Sequence, residues 1–97
     1  MTVTFEGWTS QQDRNELTQK LEKLEKINSR IVSAHVSRTG GFNIGNRVCI
    51  KIETANRSLS ATKRRAKVNA LIVANDAFKA IKSQLHQGTT KPRRKRA

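Results

Sequence analysis

The residues with the most obvious chemistry are cations. Lys63, Arg64, Arg65 and Lys67 stand within Thr62-Lys-Arg-Arg-Ala-Lys67, where a strand-like pattern gives way to a helical one. Cations near a helix start oppose the helix dipole, at about 0.3–1 kcal/mol each, while the free N–H groups there favour phosphate. A sequence that tolerates this arrangement is expected to use the charge on a partner, as a phosphate clamp; the plainer reading is a solvated polar turn. Lys79 and Lys82, three apart and off the apolar stripe of the same helix, extend the basic surface, although alone they would pass for ordinary solvated lysines. Arg93, Arg94, Lys95 and Arg96 close the chain and offer only electrostatics, as a specific contact or a solubilising end.

Nucleophiles and metal ligands are sparse. His35 and His86 have no acid–His or Cys–His spacing around them, and Cys49 is the single cysteine. Cys49 shares the nominal face of His35, but no third group is placed to orient the base. Gly40-Gly-Phe-Asn-Ile-Gly45 is glycine-rich yet matches no phosphate-loop pattern, and Trp8 reads as a packing residue. With three Phe, one Trp and no Tyr, there is no array of stacking platforms of the kind single-strand binders use. No paired carboxylates, metal spacing or triad stand out, so no enzyme activity, cofactor, metal or small-molecule substrate is expected.

The whole composition points the same way. Twenty Lys and Arg against seven Asp and Glu give a formal net charge of +13 over 97 residues. Residues 1–28 carry four basic and five acidic side chains, residues 29–62 five and one, and residues 63–97 eleven and one. A field so weighted to one end attracts a polyanion, most commonly nucleic acid. A lone cysteine suits a reducing compartment. No apolar run reaches membrane-spanning length, and Met1-Thr-Val-Thr-Phe-Glu6 resembles no signal peptide, so a cytoplasmic protein is expected.

These side chains must be positioned by a small fold. Val3 and Phe5 alternate with polar neighbours, a short strand closed by Gly7. Thr9 or Ser10 offers a cap for a helix over about Gln11–Ile27, whose apolar stripe is Leu17, Leu21, Leu24 and Ile27. Glu16–Lys20 and Glu22–Lys26 are i,i+4 pairs in the favourable order. Three alternating strands follow, with Val32, Ala34 and Val36, then Val48, Ile50 and Ile52, then Leu59 and Ala61 facing inward. Thr39–Asn46 reads as a loop and Thr54–Arg57 as a tight turn. Leu71, Ala74, Phe78, Ile81 and Leu85 mark a helix from about Arg65 to Gln87, stopped by Gly88, with Pro92 beyond. The expectation is a β-α-β-β-β-α two-layer α+β sandwich: one domain over residues 1–88, two helices on one face of a four-stranded sheet, and a disordered basic tail over 89–97.

At this point the chain resembles the ribosome hibernation-promoting factors, also called ribosome-associated inhibitors or subunit-interface proteins, in their short form. The resemblance spans residues 2–87. It is carried by Lys20-Leu-Glu-Lys-Leu-Glu-Lys-Ile-Asn-Ser-Arg-Ile-Val-Ser-Ala-His-Val36, by the hairpin Val48–Ala61 and by Ala80-Ile-Lys-Ser-Gln-Leu85. Family members commonly carry an acidic residue and a tyrosine at the start of the second helix, where this chain reads Lys67-Val-Asn-Ala-Leu-Ile-Val-Ala-Asn75. The resemblance implies a monomer that binds small-subunit rRNA in the mRNA and tRNA channel, blocking translation. Without the second, dimerising domain of the long form, no self-driven pairing of ribosomes is expected. The Lys63–Lys67 cluster also looks like the second-helix start of double-stranded-RNA-binding domains, an alternative reading with another structured RNA as partner; that fold lacks a strand at Val3–Phe5.

Overall fold

The computed structural model describes residues 1–27 and 30–90, with side chains placed through Leu85. Along the chain run β1 (Thr2–Glu6), α1 (Gln11–Ile27), β2 (Ile31–Gly41), β3 (Gly45–Thr54), β4 (Ser58–Arg65) and α2 (Ala70–Thr90). The sheet order is β1-β2-β3-β4, with β1 parallel to β2 and the other pairs antiparallel. This is the expected α+β architecture.

One apolar layer holds it together. Val36 pairs across β3 with Ile50 and Ile50 with Ala61, while Ala34, Ile52 and Leu59 form the next row. All six are buried in one cluster with Leu17, Leu21 and Leu24 of α1 and Val73, Ala74, Ala77, Phe78, Ile81 and Leu85 of α2. The opposite face of the sheet carries Ser33, His35, Ser37, Thr39, Arg47, Cys49, Lys51, Thr62 and Arg64. The period of two along each strand thus separates a dry face under the helices from a wet one.

Helix α1 has the bounds expected from the sequence, and Ser10 caps it, its Oγ accepting the Asp13 N–H at 3.3 Å. The i,i+4 pairs Glu16–Lys20 and Glu22–Lys26 do not close: neither is among the ion pairs within 4.0 Å formed by the described residues. Exposed pairs of this kind contribute little against side-chain entropy.

Four expectations are corrected. The register of β2 against β3 shifts between Ile31 and Ser33, which buries Ile31 and leaves Val32 57% exposed, so Val32 is not core. The segment Thr39–Asn46 is mostly strand: β2 and β3 stay paired out to Gly41 and Gly45, and only residues 42–44 turn. Helix α2 starts at Ala70 and not near Arg65. Arg64 and Arg65 continue β4 by pairing with Arg47 and Asn46, and Asn69 caps the helix, accepting the Leu71 N–H at 2.8 Å. This start leaves Leu71 half-buried at the rim of the core while Ala70 and Val73 fill it. At its other end α2 runs through Gly88 to Thr90, because a single glycine weakens a helix without ending it. The tail cations Arg93, Arg94, Lys95 and Arg96 lie outside the described residues.

Candidate nucleic-acid interface

The cations form two groups on different elements. The first lies between the helices. Lys20 and Lys23 are three apart on α1, Lys79 and Lys82 three apart on α2, and this spacing puts each pair on one helix face. All four line a groove of about 410 Å³ whose other walls are Leu24, Ile27, Asn75 and Phe78. Phe78 is the floor, 7% exposed, while Ile27 is 44% exposed at the mouth. Among the described residues, none of the four lysines has a carboxylate within 4.0 Å. An unneutralised set of ammonium groups on two packed helices is suited to a run of phosphates. The Oδ1 of Asn75, in the same groove wall, is buried without a hydrogen-bond partner among the described residues.

The second group is at the end of the sheet, where Lys63, Arg64, Arg65 and Lys67 do not make the single helix-start ring expected of them. Because Lys63, Arg64 and Arg65 are in a strand, successive side chains alternate faces. Lys63 pairs with Val48 and Arg65 with Asn46, both core-facing positions, so these two cations point to the helix side. Arg64 pairs with Arg47 on the wet face. Arg65 is drawn to α2, its Nη1 3.3 Å from Asp76 Oδ2. Lys67 sits in the β4–α2 connection with φ at 65°, and its N–H donates to Phe42 O at 2.7 Å. All four are exposed. They form a collar around the sheet end, with Arg47 as an added member that no motif in the sequence marks.

The collar is braced from beneath by Asn46, 2% exposed. Its Nδ2 donates to Val68 O at 2.8 Å and its Oδ1 accepts from Arg38 Nε at 3.3 Å. The Arg38 guanidinium lies 5.7 Å from the centroid of the buried Trp8 ring. This polar chain ties β2, β3 and the β4–α2 connection together, so the cations of the collar sit on fixed backbone.

On the wet face, His35 and Cys49 line a shallow recess of about 220 Å³ with Glu6, Ser37, Thr39, Arg47 and Lys51. His35 is engaged by other groups: its Nδ1 is hydrogen-bonded to Thr4 Oγ1 at 2.6 Å and its Nε2 lies 3.4 Å from Glu6 Oε1. Among the described residues no hydrogen bond joins Cys49 to His35, and no group of three or more His, Cys, Asp or Glu is placed to hold a metal ion. No helix is long and apolar enough to cross a membrane among them.

Sequence comparison finds neither a family model nor a curated protein that matches the chain. Comparison of folds does. The chain is similar to a ribosomal subunit interface protein from Coxiella burnetii, with a TM-score of 0.77 and 14% identity over 93% of this chain and 97% of that one. It is also similar to the N-terminal domain of Protein Y from Thermus thermophilus, with a TM-score of 0.73 and 13% identity over 88% and 96%. The fold is therefore that of the subunit interface proteins, shared almost end to end. The double-stranded-RNA-binding alternative requires a chain without β1, and β1 is present, paired in parallel with β2 from Thr2 to Glu6.

Proposed function

We propose that this protein binds the ribosome as a translation inhibitor or hibernation factor, seated on small-subunit rRNA in the mRNA and tRNA channel. The observation that carries the reading is the near-complete match in fold to a protein named for the ribosomal subunit interface. Lys20, Lys23, Lys79 and Lys82 in the inter-helix groove would grip one stretch of rRNA backbone. Lys63, Arg64, Arg65 and Lys67 at the sheet end would meet another, and Arg93, Arg94, Lys95 and Arg96 would add electrostatic attraction. The chemistry is stoichiometric: the rigid two-layer scaffold occupies space, and the cations replace counterions on phosphates. Structured RNA is read in this way by shape and backbone. In this reading no bond is made or broken, and the protein acts in the cytoplasm as a binding protein and not as an enzyme.

Sedimentation through a sucrose gradient tests the proposal. The protein is expected to travel with small subunits or whole ribosomes at low salt and to leave them as salt rises. Each phosphate neutralised steepens the log–log salt slope by somewhat under about one unit. Protein that remains at the top of the gradient at low salt, with ribosomes intact, refutes the reading.

A further inference from the structure

The tip of the β2–β3 hairpin combines features that ordinary turns do not. Phe42 is 55% exposed and Ile44 72% exposed, on either side of Asn43 in the turn. Turns are built from small polar residues, and an exposed aromatic and aliphatic pair gains nothing from folding. Nor is the tip slack. Phe42 O accepts the Lys67 N–H at 2.7 Å, and Ile44 O accepts from Arg64 Nη2 at 2.9 Å, which pins both residues to β4 and the β4–α2 connection. Gly45 has a φ of 118°, and a Cβ there would lie 2.8 Å from Arg64 Nε, so the arginine lies directly across the hairpin end. Gly40, with φ at 85°, closes the other side, where a Cβ would collide with Gly45 O. Two apolar side chains are thus held outward on a braced backbone.

Cations surround them. Arg47 and Arg64 are cross-strand neighbours on the wet face, and Lys63, Arg65 and Lys67 follow on β4 and beyond it. Among the described residues, a carboxylate lies within 4.0 Å of only one of these five, Arg65, and it is that of Asp76. Arg64 uses one donor on Ile44 O, and a guanidinium has five N–H donors in all. An apolar ring flanked by unneutralised guanidinium and ammonium groups matches the two halves of a nucleotide, a base with a π-face and a phosphate.

We propose that the hairpin tip is a wedge for an unpaired base of RNA: Phe42 stacks on the base, Ile44 covers its edge, and Arg47, Arg64 and Lys67 take the flanking phosphates. The partner is an unpaired nucleotide because a base within a duplex has both faces already stacked, whereas bulges and loops present a free one. A single aromatic residue engages a single base. The wedge rests on the RNA-binding reading above and deepens it, adding a contact that depends on local RNA structure to contacts that depend on phosphate alone.

The test uses the full chain and two RNA hairpins of the same stem, each closed by a non-nucleotide ethylene glycol linker so that no loop base is free, one fully paired and one carrying a single bulged 2-aminopurine. Affinity is measured by anisotropy and stacking by 2-aminopurine fluorescence. The wild-type protein is expected to prefer the bulged hairpin and to change its fluorescence. Phe42→Ala is expected to weaken binding to the bulged hairpin by roughly 5- to 150-fold, the effect of losing one stacked base. It should leave binding to the paired hairpin unchanged, and Phe42→Trp is expected to retain the preference. Thermal melting of each variant should match the wild type, since Phe42 lies outside the core. Equal affinity of the wild type for the two hairpins, or a preference that survives Phe42→Ala, overturns the wedge. So does a Phe42→Ala protein that fails to sediment with ribosomes yet binds both hairpins as the wild type does, for the tip then contacts a ribosomal protein. A wild-type protein that discriminates the hairpins through Phe42 but never sediments with ribosomes retains the wedge and removes the ribosomal reading.

Discussion

Arg65 Nη1 stands 3.3 Å from Asp76 Oδ2, joining the last residue of β4 to the second turn of α2. Asp76 is the one acidic side chain in residues 63–97. Both partners are partly open to water, so the pair adds at most about 1 kcal/mol to stability. Its larger effect is on the collar, where it holds one cation back from a polyanion. Asp76→Asn is therefore expected to change the melting temperature little and to tighten ribosome binding severalfold at low salt, the gain shrinking as salt rises. Titration against purified small subunits at two salt concentrations checks this.

The groove and the terminal cations should separate cleanly. Replacing Lys79 and Lys82 with Ala, or Lys20 and Lys23 with Ala, is expected to lower ribosome affinity more than affinity for an unrelated RNA duplex, because these four groups have fixed spacing. Deleting residues 91–97 is expected to lower both affinities by similar factors. Parallel titrations at matched salt decide between them, and each phosphate that is no longer neutralised should reduce the salt slope by about one unit.

Asn46 is the polar residue on which the collar rests. Asn46→Leu leaves Val68 O without its donor and removes the acceptor for Arg38, at an expected cost of about 1–3 kcal/mol for buried groups left unpaired. Denaturant unfolding measures it. The same substitution is expected to weaken ribosome binding at denaturant concentrations well below the unfolding midpoint, since it loosens the connection bearing Lys67.

Phe78 lies between the sheet and the groove and is 7% exposed. Phe78→Ala is expected to destabilise the domain by about 3–5 kcal/mol, the usual range for a buried Phe. Equilibrium urea unfolding with an unchanged slope would show that stability, and not the compactness of either state, has moved.

Much of the fold is legible in hydrophobic period alone. Leu17, Leu21 and Leu24 define the inner face of α1, and Val48, Ile50 and Ile52 that of β3, because nothing nonlocal competes with those patterns. The failures are local patterns overruled by pairing. Val32 alternates as well with its neighbours as Ile31 does with its own, and only the register shift against β3 decides which is buried. Thr39–Asn46 reads as a loop because glycines mark turns, yet Gly40 and Gly45 serve here as paired strand residues with positive φ. Lys63, Arg64 and Arg65 read as one cluster because they are adjacent, whereas a strand divides neighbours between its faces. Asn69, a good N-cap beside Ala70, is the local signal that α2 begins late. Lys20 reads as the partner of Glu16 on its own helix. Its place in the groove beside Lys23 depends on the packing of α1 against α2, which no spacing within either helix reveals.

Strand β4 is an outer edge of the sheet, and an open edge invites a second copy of the chain to extend it. Gln84 covers part of that edge, its Nε2 donating to Ser60 O at 2.9 Å. The stretch from Lys63 to Arg65 carries charge instead of cover, and two such edges brought together would set like charges against one another. The side chains that would draw in RNA thus oppose self-association along this edge, and that opposition depends on Lys63 and Arg64 staying unneutralised. A polyanion that crowded many copies together while cancelling this charge would lift it, and the protein's tendency to aggregate would then follow the ratio of polyanion to protein around it.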